Sequence, residues 1–175
     1  MKNIELKIKT KDLGKVRKAL IHAGAEKMGI LSQTDIYFNA KTGRLKHREI
    51  NKNKYELIYY QRPDKSNSKV SKYELISLKK NESKKILDIL SLTNKIKVIV
   101  KKSRELWLYK NTRIHLDTVH DLGTYVELET VIKKISMKDA RKEHAEAIKL
   151  FIKNKDEKIL VSYCDLLLNK IENKN

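Results

Sequence analysis

Strict alternation of apolar and polar residues runs through segment after segment of this chain, and it admits few folds. Residues 3–9 read NIELKIK: Ile4, Leu6 and Ile8 fall on one side, and Asn3, Glu5, Lys7 and Lys9 on the other. A period of two belongs to an extended strand with one apolar and one polar face. The same pattern predicts strands over 2–9, 33–39, 43–50, 54–62, 69–77, 96–109, 111–118 and 123–132. Helical spacing is confined to four places. Leu13, Val16, Leu20 and Ala23 share a face within 11–25, ahead of Gly24. Further helices are predicted over 82–92 and 137–153 and from Ser162 onward, the last two opened by the capping patterns Ser136-Met-Lys-Asp139 and Ser162-Tyr-Cys-Asp165. Turn signals such as Lys41-Thr42-Gly43, Asn51-Lys52-Asn53-Lys54 and Asp121-Leu122-Gly123 separate neighbouring strands. At 175 residues the chain suits one domain spanning 1–175. Eight strands joined mostly by turns predict an α+β fold, an antiparallel sheet or barrel with helices packed around it.

The polar faces carry charge in an ordered way. They present Glu5, Lys7 and Lys9; Arg44, Lys46 and Arg48; Lys72 and Glu74; Lys102 and Arg104; Arg113, His115 and Asp117; and Tyr125, Glu127 and Glu129. The opposite faces are largely apolar, as in Ile114 with Leu116 and Val126 with Leu128, with Lys101 and Ser103 as exceptions. Helices packed outside the sheet need those apolar faces. The polar faces would then converge on a wet interior, with Lys7, Lys9, Arg44, Lys46, Arg48, Lys102, Arg104 and Arg113 as its cations and Glu5, Asp117, Glu127 and Glu129 as its acids.

That mixture suits a triphosphate. Lys and Arg make charge-assisted contacts to phosphate oxygens. The carboxylates would repel the ligand unless a hard divalent cation, Mg²⁺ or Mn²⁺, stood between them. Two other readings use the same letters. Charged strand faces commonly meet solvent, and a basic sheet bearing Tyr59, Tyr60, Trp107 and Tyr109 could stack single-stranded nucleic acid. Against nucleic acid, the acids would lie among phosphate contacts with no role.

The charge balance fits an anionic partner: 40 Lys and Arg against 22 Asp and Glu leave a formal charge of +18. A lysine-rich solvated surface yields the same total, but it does not explain the alternating placement. Cys164 is the single cysteine, so an internal disulfide is excluded and a zinc cluster is not indicated. Neither a membrane-length apolar run nor a signal-peptide core is visible, so a cytoplasmic setting is expected.

Taken in order, these motifs resemble the CYTH, or triphosphate-tunnel, superfamily and within it the class IV adenylyl cyclase-like group. The resemblance runs from NIELKIK through DIYFN (35–39), GRLKHRE (43–49), YYQRPD (59–64), VKKSREL (100–106) and TRIHLDTVHDLGTYVELE (112–129) to SYCDLL (162–167). It implies an eight-stranded antiparallel barrel around a cationic tunnel, a nucleoside or inorganic triphosphate as partner, and dependence on Mg²⁺ or Mn²⁺. By position Lys7, Lys46, Arg48, Lys102, Arg104 and Arg113 would hold phosphate, with Glu5, Lys7 and Arg104 catalytic. Glu5, Glu127 and Glu129, with Asp117 as a further candidate, would hold metal. Lys9, Arg44, Lys72 and His115 join the triphosphate contacts from their strand faces. Two positions depart from the pattern. Asn3 replaces the first Glu of the ExExK signature, so it can offer a metal an oxygen but no charge. Gln61 stands where relatives carry Lys, leaving Arg62 as the candidate replacement.

The superfamily's reactions differ in what attacks and where. In a cyclase the ribose 3′-oxygen of ATP attacks the α-phosphorus and pyrophosphate leaves. In a tripolyphosphatase, or a nucleoside or thiamine triphosphatase, water attacks the terminal phosphorus. The resemblance points to the cyclase, with the triphosphatase and a non-catalytic triphosphate- or nucleic-acid-binding protein as alternatives. His22, His47, His120 and His144 are expected to be solvated or structural. Cys164 is expected in the core, and a homodimer could form through the barrel's outer face.

Overall fold

In the computed structural model the described residues are 2–61, 69–133, 135–153 and 157–173, without the side chains of Lys2 and residues 69–72. Nine strands and four helices follow in the order β1 (Lys2–Lys9), α1 (Leu13–His22), β2 (Glu26–Phe38), β3 (Arg44–Ile50), β4 (Lys54–Gln61), β5 (Lys69–Leu78), α2 (Lys80–Thr93), β6 (Ile96–Tyr109), β7 (Thr112–Val119), β8 (Gly123–Val131), α3 (Met137–Phe151), β9 (Glu157–Lys158) and α4 (Tyr163–Glu172).

Every pairing is antiparallel, in the order β5-β4-β3-β2-β6-β7-β8-β1, and β1 returns to pair with β5 through Lys2–Glu5. Eight strands therefore run round a tunnel. Beyond Glu5 the same edge of β1 is taken by the two residues of β9, through Ile8 and Lys9.

The apolar faces of β1, β7 and β8 point outward, as the alternation predicts. Leu6, Ile8, Ile114, Leu116, Val126 and Leu128 pack against Val16 and Leu20 of α1 and Ala147 and Phe151 of α3. Burying each large aliphatic side chain there stabilises the fold by about 1.5–3 kcal/mol. Both predicted capping patterns form: Ser136 accepts from the Asp139 amide at 3.1 Å, and Ser162 with Asp165 makes a reciprocal box.

The fourth helix departs from a purely external shell. Tyr163, Cys164 and Leu167 of α4 pack on Tyr37, Val98, Val100, Val119 and Tyr125, which belong to the inward faces of β2, β6, β7 and β8. α4 thus stops one end of the tunnel. Cys164 is a buried core residue whose thiol is pushed up to about 11 by burial.

β2 begins seven residues before its predicted start. Gly29 sits at φ 132° where the β2–β6 register shifts, a bulge that breaks the alternation. Past it Ile30 faces out and Leu31 faces in, so two adjacent apolar letters disguise a strand. On β5 the inward residues are Tyr73 and Leu75, whereas Glu74 is exposed, so Glu74 does not face the tunnel as expected. Among the described residues, no helix is long and apolar enough to cross a membrane.

Candidate active site

The tunnel encloses a cavity of about 330 Å³. Among the described residues it is lined by seven cationic side chains, Lys7, Lys46, Arg48, Lys54, Lys102, Arg104 and Arg113, and five carboxylates, Glu5, Asp35, Glu56, Glu127 and Glu129.

Its deepest part is organised by Asp35, which is 1% exposed. Arg48 grips this carboxylate with two hydrogen bonds of 2.6 and 2.8 Å, and Lys46 and Lys102 donate to it at 3.0 and 3.1 Å. The register explains the convergence: Asp35 lies opposite Arg48 on β3, and Lys46 and Lys102 occupy diagonal inward positions on β3 and β6. Burial alone would raise the Asp35 carboxyl, but Arg48, Lys102 and Lys46 hold it well below the usual range. Burial, with Arg48 nearby, pulls Lys46 down to about 7; burial, with Arg104 and Arg48 nearby, pulls Lys102 to about 8 against the support of Asp35. An arriving polyanion would restore full charge to both.

Two residues beyond Lys102 on β6 stands Arg104. It makes a two-point contact to Asp117 at 2.7 and 2.6 Å and reaches Glu127 at 2.8 Å. Asp117 is fully buried behind it and also accepts from the Tyr163 hydroxyl at 2.9 Å. Its role in this arrangement is to aim Arg104. Lys7 sits 3.6 Å from Glu127 and 4.0 Å above the Tyr163 ring. His115 approaches Glu127 at 3.4 Å, and burial, reinforced by Arg104, depresses its ring to about 4, so it is neutral at pH 7.

The acids form a second region on β1 and β8. Glu5 faces Glu129 in register, Asn3 donates its amide to Glu129, and Arg113 reaches Glu129 at 2.9 Å. Burial, with Glu5 and Glu127 nearby, lifts Glu129 to about 6 against the pull of Arg113. Excess negative charge therefore persists at this wall.

The donor set here fits a hard cation. The Asn3 Oδ1 is buried without a hydrogen-bond partner in the protein, and Glu5 and Glu129 add carboxylate oxygens beside it. Glu127 is engaged by Arg104, Lys7 and His115. Among the described residues, no group of three or more His, Cys, Asp or Glu already stands in metal-holding geometry, so the neutral oxygen of Asn3 matters to any such site.

Of the residues expected from sequence, Glu5, Lys7, Lys46, Arg48, Lys102, Arg104, Arg113, His115, Glu127 and Glu129 line the cavity together. Three do not. Lys9 is exposed near β9, Arg44 is tied to Asp165 of α4 at 2.7 Å, and Asp117 lies behind Arg104. Arg62 and the Lys72 side chain fall outside the described residues. The structure adds Asp35, Gln33, Tyr37, Glu56 and Tyr163. Gln33, Asp35 and Tyr37 share one face by simple alternation, a signal that Ile36 and Phe38 obscure.

The class is defined by its fold and lining: an antiparallel tunnel with a buried cluster of cations and an acidic wall. The chain belongs to the CYTH domain family, whose domain matches residues 1–161. No curated protein sequence matches it. Solved structures share the fold at low identity. A protein of Pyrococcus horikoshii OT3 has 20% identity and a TM-score of 0.79, with 94% of this chain and 98% of that chain covered. A candidate adenylate cyclase from Vibrio parahaemolyticus has 14% identity, a TM-score of 0.74, and coverage of 95% and 97%. A candidate adenylyl cyclase from Hippeastrum, reported to have a dominant triphosphatase activity, has 11% identity, a TM-score of 0.65, and coverage of 97% and 95%.

Proposed function

We propose that this protein is a divalent-metal-dependent enzyme acting on the triphosphate of a nucleotide, of the class IV adenylyl cyclase type. One observation carries the reading: Lys46, Arg48 and Lys102 converge on buried Asp35, while Glu5 and Glu129 crowd the facing wall. The cations would take the phosphate oxygens, with Arg104 and Lys7 reaching the chain from the side and Arg113 from the wall. Asp35 and Asp117 hold these groups in place before the ligand arrives, so little ordering remains to be done on binding. Mg²⁺ or Mn²⁺ held by Glu5, Glu129 and Asn3 would supply charge neutralisation and polarise a phosphoryl group. In the cyclase reaction the ribose 3′-oxygen bonds to the α-phosphorus as the bond to pyrophosphate breaks, and the hydroxyl proton leaves to solvent or to a neighbouring carboxylate.

A second reading has its own support. The Hippeastrum relative of the same fold has a dominant triphosphatase activity. Hydrolysis uses the same cations and acids, with water attacking the terminal phosphorus.

Product analysis separates the two. The purified protein is incubated with ATP, tripolyphosphate or thiamine triphosphate, each with Mg²⁺ or Mn²⁺. Cyclic AMP with pyrophosphate supports the cyclase, and orthophosphate supports the triphosphatase. Absence of product from all three substrates, with either metal, overturns the enzymatic reading.

A further inference from the structure

Lys9 has the parity of a tunnel residue but does not line the tunnel. It borders a second cavity, of about 730 Å³, where the end of β1 and the first turns of α1 meet the last turn of α3. Among the described residues the two cavities share no lining side chain. The floor of the second is apolar. Val16 and Phe151 are 6% and 4% exposed and belong to the core beneath, and Ala19 and Ile152 pack against that core. The Tyr109 ring meets Phe151 edge-on at 5.4 Å and helps fix the floor in place. Leu150, 45% exposed, adds apolar surface at the edge.

The rim is cationic. Lys9, Lys11, Lys15, Lys149 and Lys153 border the cavity and are exposed, against two carboxylates, Asp12 and Glu157. Asp12 pairs with Lys15 at 3.0 Å, and Glu157 lies opposite Lys9 in the β1–β9 register. Five lysines against two acids leave three positive charges in excess around the apolar floor. That combination selects an occupant. A second copy of this chain, itself at +18, would be repelled. Val16, Ala19, Phe151 and Ile152 offer no side-chain donor, so a bare phosphate would meet only the solvated rim. A neutral hydrophobe would use the floor and gain nothing from the lysines. A molecule with one anionic head and an aliphatic body uses both: its body leaves water on the floor, and the lysine stems lie along apolar surface while their ammonium groups reach the head.

We propose that the cavity between β1, α1 and α3 is a second binding site, separate from the tunnel, for a free anionic amphiphile such as a medium-chain carboxylate. The aliphatic body lies over Val16, Ala19, Phe151 and Ile152, and the head sits among the rim lysines. This site is independent of the triphosphate reading of the tunnel. One strand serves both places: β1 turns Glu5 and Lys7 into the tunnel and ends with Lys9 at the second cavity.

Backbone-amide NMR titration of the unmodified protein with octanoate tests it, with butanoate, 1-octanol and inorganic phosphate as comparisons. Octanoate should shift amides of Thr10–Ala19 and Lys149–Ile152 and bind roughly tenfold or more tighter than butanoate, which lacks most of the body. It should also bind tighter than 1-octanol, which lacks the charge, and tighter than inorganic phosphate. The double variant Lys11→Ala with Lys149→Ala, changed only at exposed side chains, should bind octanoate roughly fivefold more weakly. Octanoate shifts that are absent, that spread over the whole surface, or that centre on Asp35, Lys102 and Arg104 in the tunnel overturn the site. Equal binding of octanol or of phosphate overturns the assignment of an anionic amphiphile. Co-sedimentation with phosphatidylglycerol vesicles that the double variant loses, without octanoate shifts at the cavity, replaces the free ligand with a membrane surface. Because the titrations need no substitution, misfolding of a variant leaves the test intact.

Discussion

Asp35 shows how a site can be nearly legible and still be missed at the scale of one residue. The alternation that exposes Lys46, Arg48, Lys102 and Arg104 also places Asp35 inward, but an acid among phosphate-binding cations looks misplaced until three of them are seen to share it. Asp117 is the converse. Its parity is right for the tunnel, yet it is fully buried behind Arg104, because parity gives the side of a strand and not the depth of a side chain. The roles differ accordingly: Asp35 gathers Lys46, Arg48 and Lys102, which under the proposed function would receive the triphosphate, and Asp117 braces Arg104. Asp35→Asn should lower the unfolding free energy by about 3–5 kcal/mol, the usual cost of stranding buried charges. Tripolyphosphate can replace the missing anion, so it should raise the melting temperature of the variant by more than that of the parent. Thermal unfolding of both proteins with and without tripolyphosphate reads the difference, and equal shifts would contradict the assignment of these cations to phosphate.

At the scale of the element, hydropathy period located the strands well and their irregularities poorly. β1, β3, β7 and β8 lie almost where alternation puts them, since one face of each packs on a neighbouring element and the other lines the tunnel. The first half of β2 hides behind the Gly29 bulge, and β9 is only two residues long, too short to show a period. The direction of a face is the harder problem, as Tyr73 and Leu75 on β5 show. Helix α3 was legible in its cap and its apolar stripe but not in the polar seam beneath it. There His144 bonds Thr130 at 2.9 Å, Thr130 bonds Thr112 at 2.9 Å, and Thr112 donates to Glu143 at 2.6 Å. Burial depresses His144 to about 4. A histidine held neutral in the fold but protonated near its ordinary value when unfolded favours unfolding as pH falls. Stability should therefore drop between about pH 6.5 and 4, with His144 contributing on the order of 2–3 kcal/mol at the acid end. His144→Gln cannot titrate and should flatten that decline. His115, also depressed to about 4, retains its own share in the variant. Urea unfolding of both proteins across this range checks the prediction, and superimposable profiles would dissociate His144 from acid sensitivity.

The whole molecule carries +18, and this charge is unevenly used. Inside the tunnel, cations and carboxylates are closely matched and mostly paired, so the interior is a preorganised network with a small cationic surplus. The larger surplus is on exposed lysines such as Lys9, Lys11, Lys18, Lys41, Lys52, Lys84 and Lys85. The two populations obey different physics. Exposed charges act at a distance through water and are screened within about 8–10 Å at physiological salt. Buried pairs such as Lys102 with Asp35 are screened much less. The outer charge should therefore speed the arrival of a triphosphate, while the tunnel determines how long it stays. Stopped-flow measurement of ATP binding in Mg²⁺ should show the association rate falling roughly tenfold as ionic strength rises from about 0.02 M to 0.2 M. The dissociation rate should change much less. Arg48→Ala should do the reverse, since it removes a group that grips Asp35 and lines the binding cavity. A variant with Lys84 and Lys85 both changed to Gln, on the exposed side of α2, should lose association rate alone. If the salt dependence instead fell mainly on dissociation, the surface lysines would have no part in capture and the charge that matters would be the few cations gathered around Asp35.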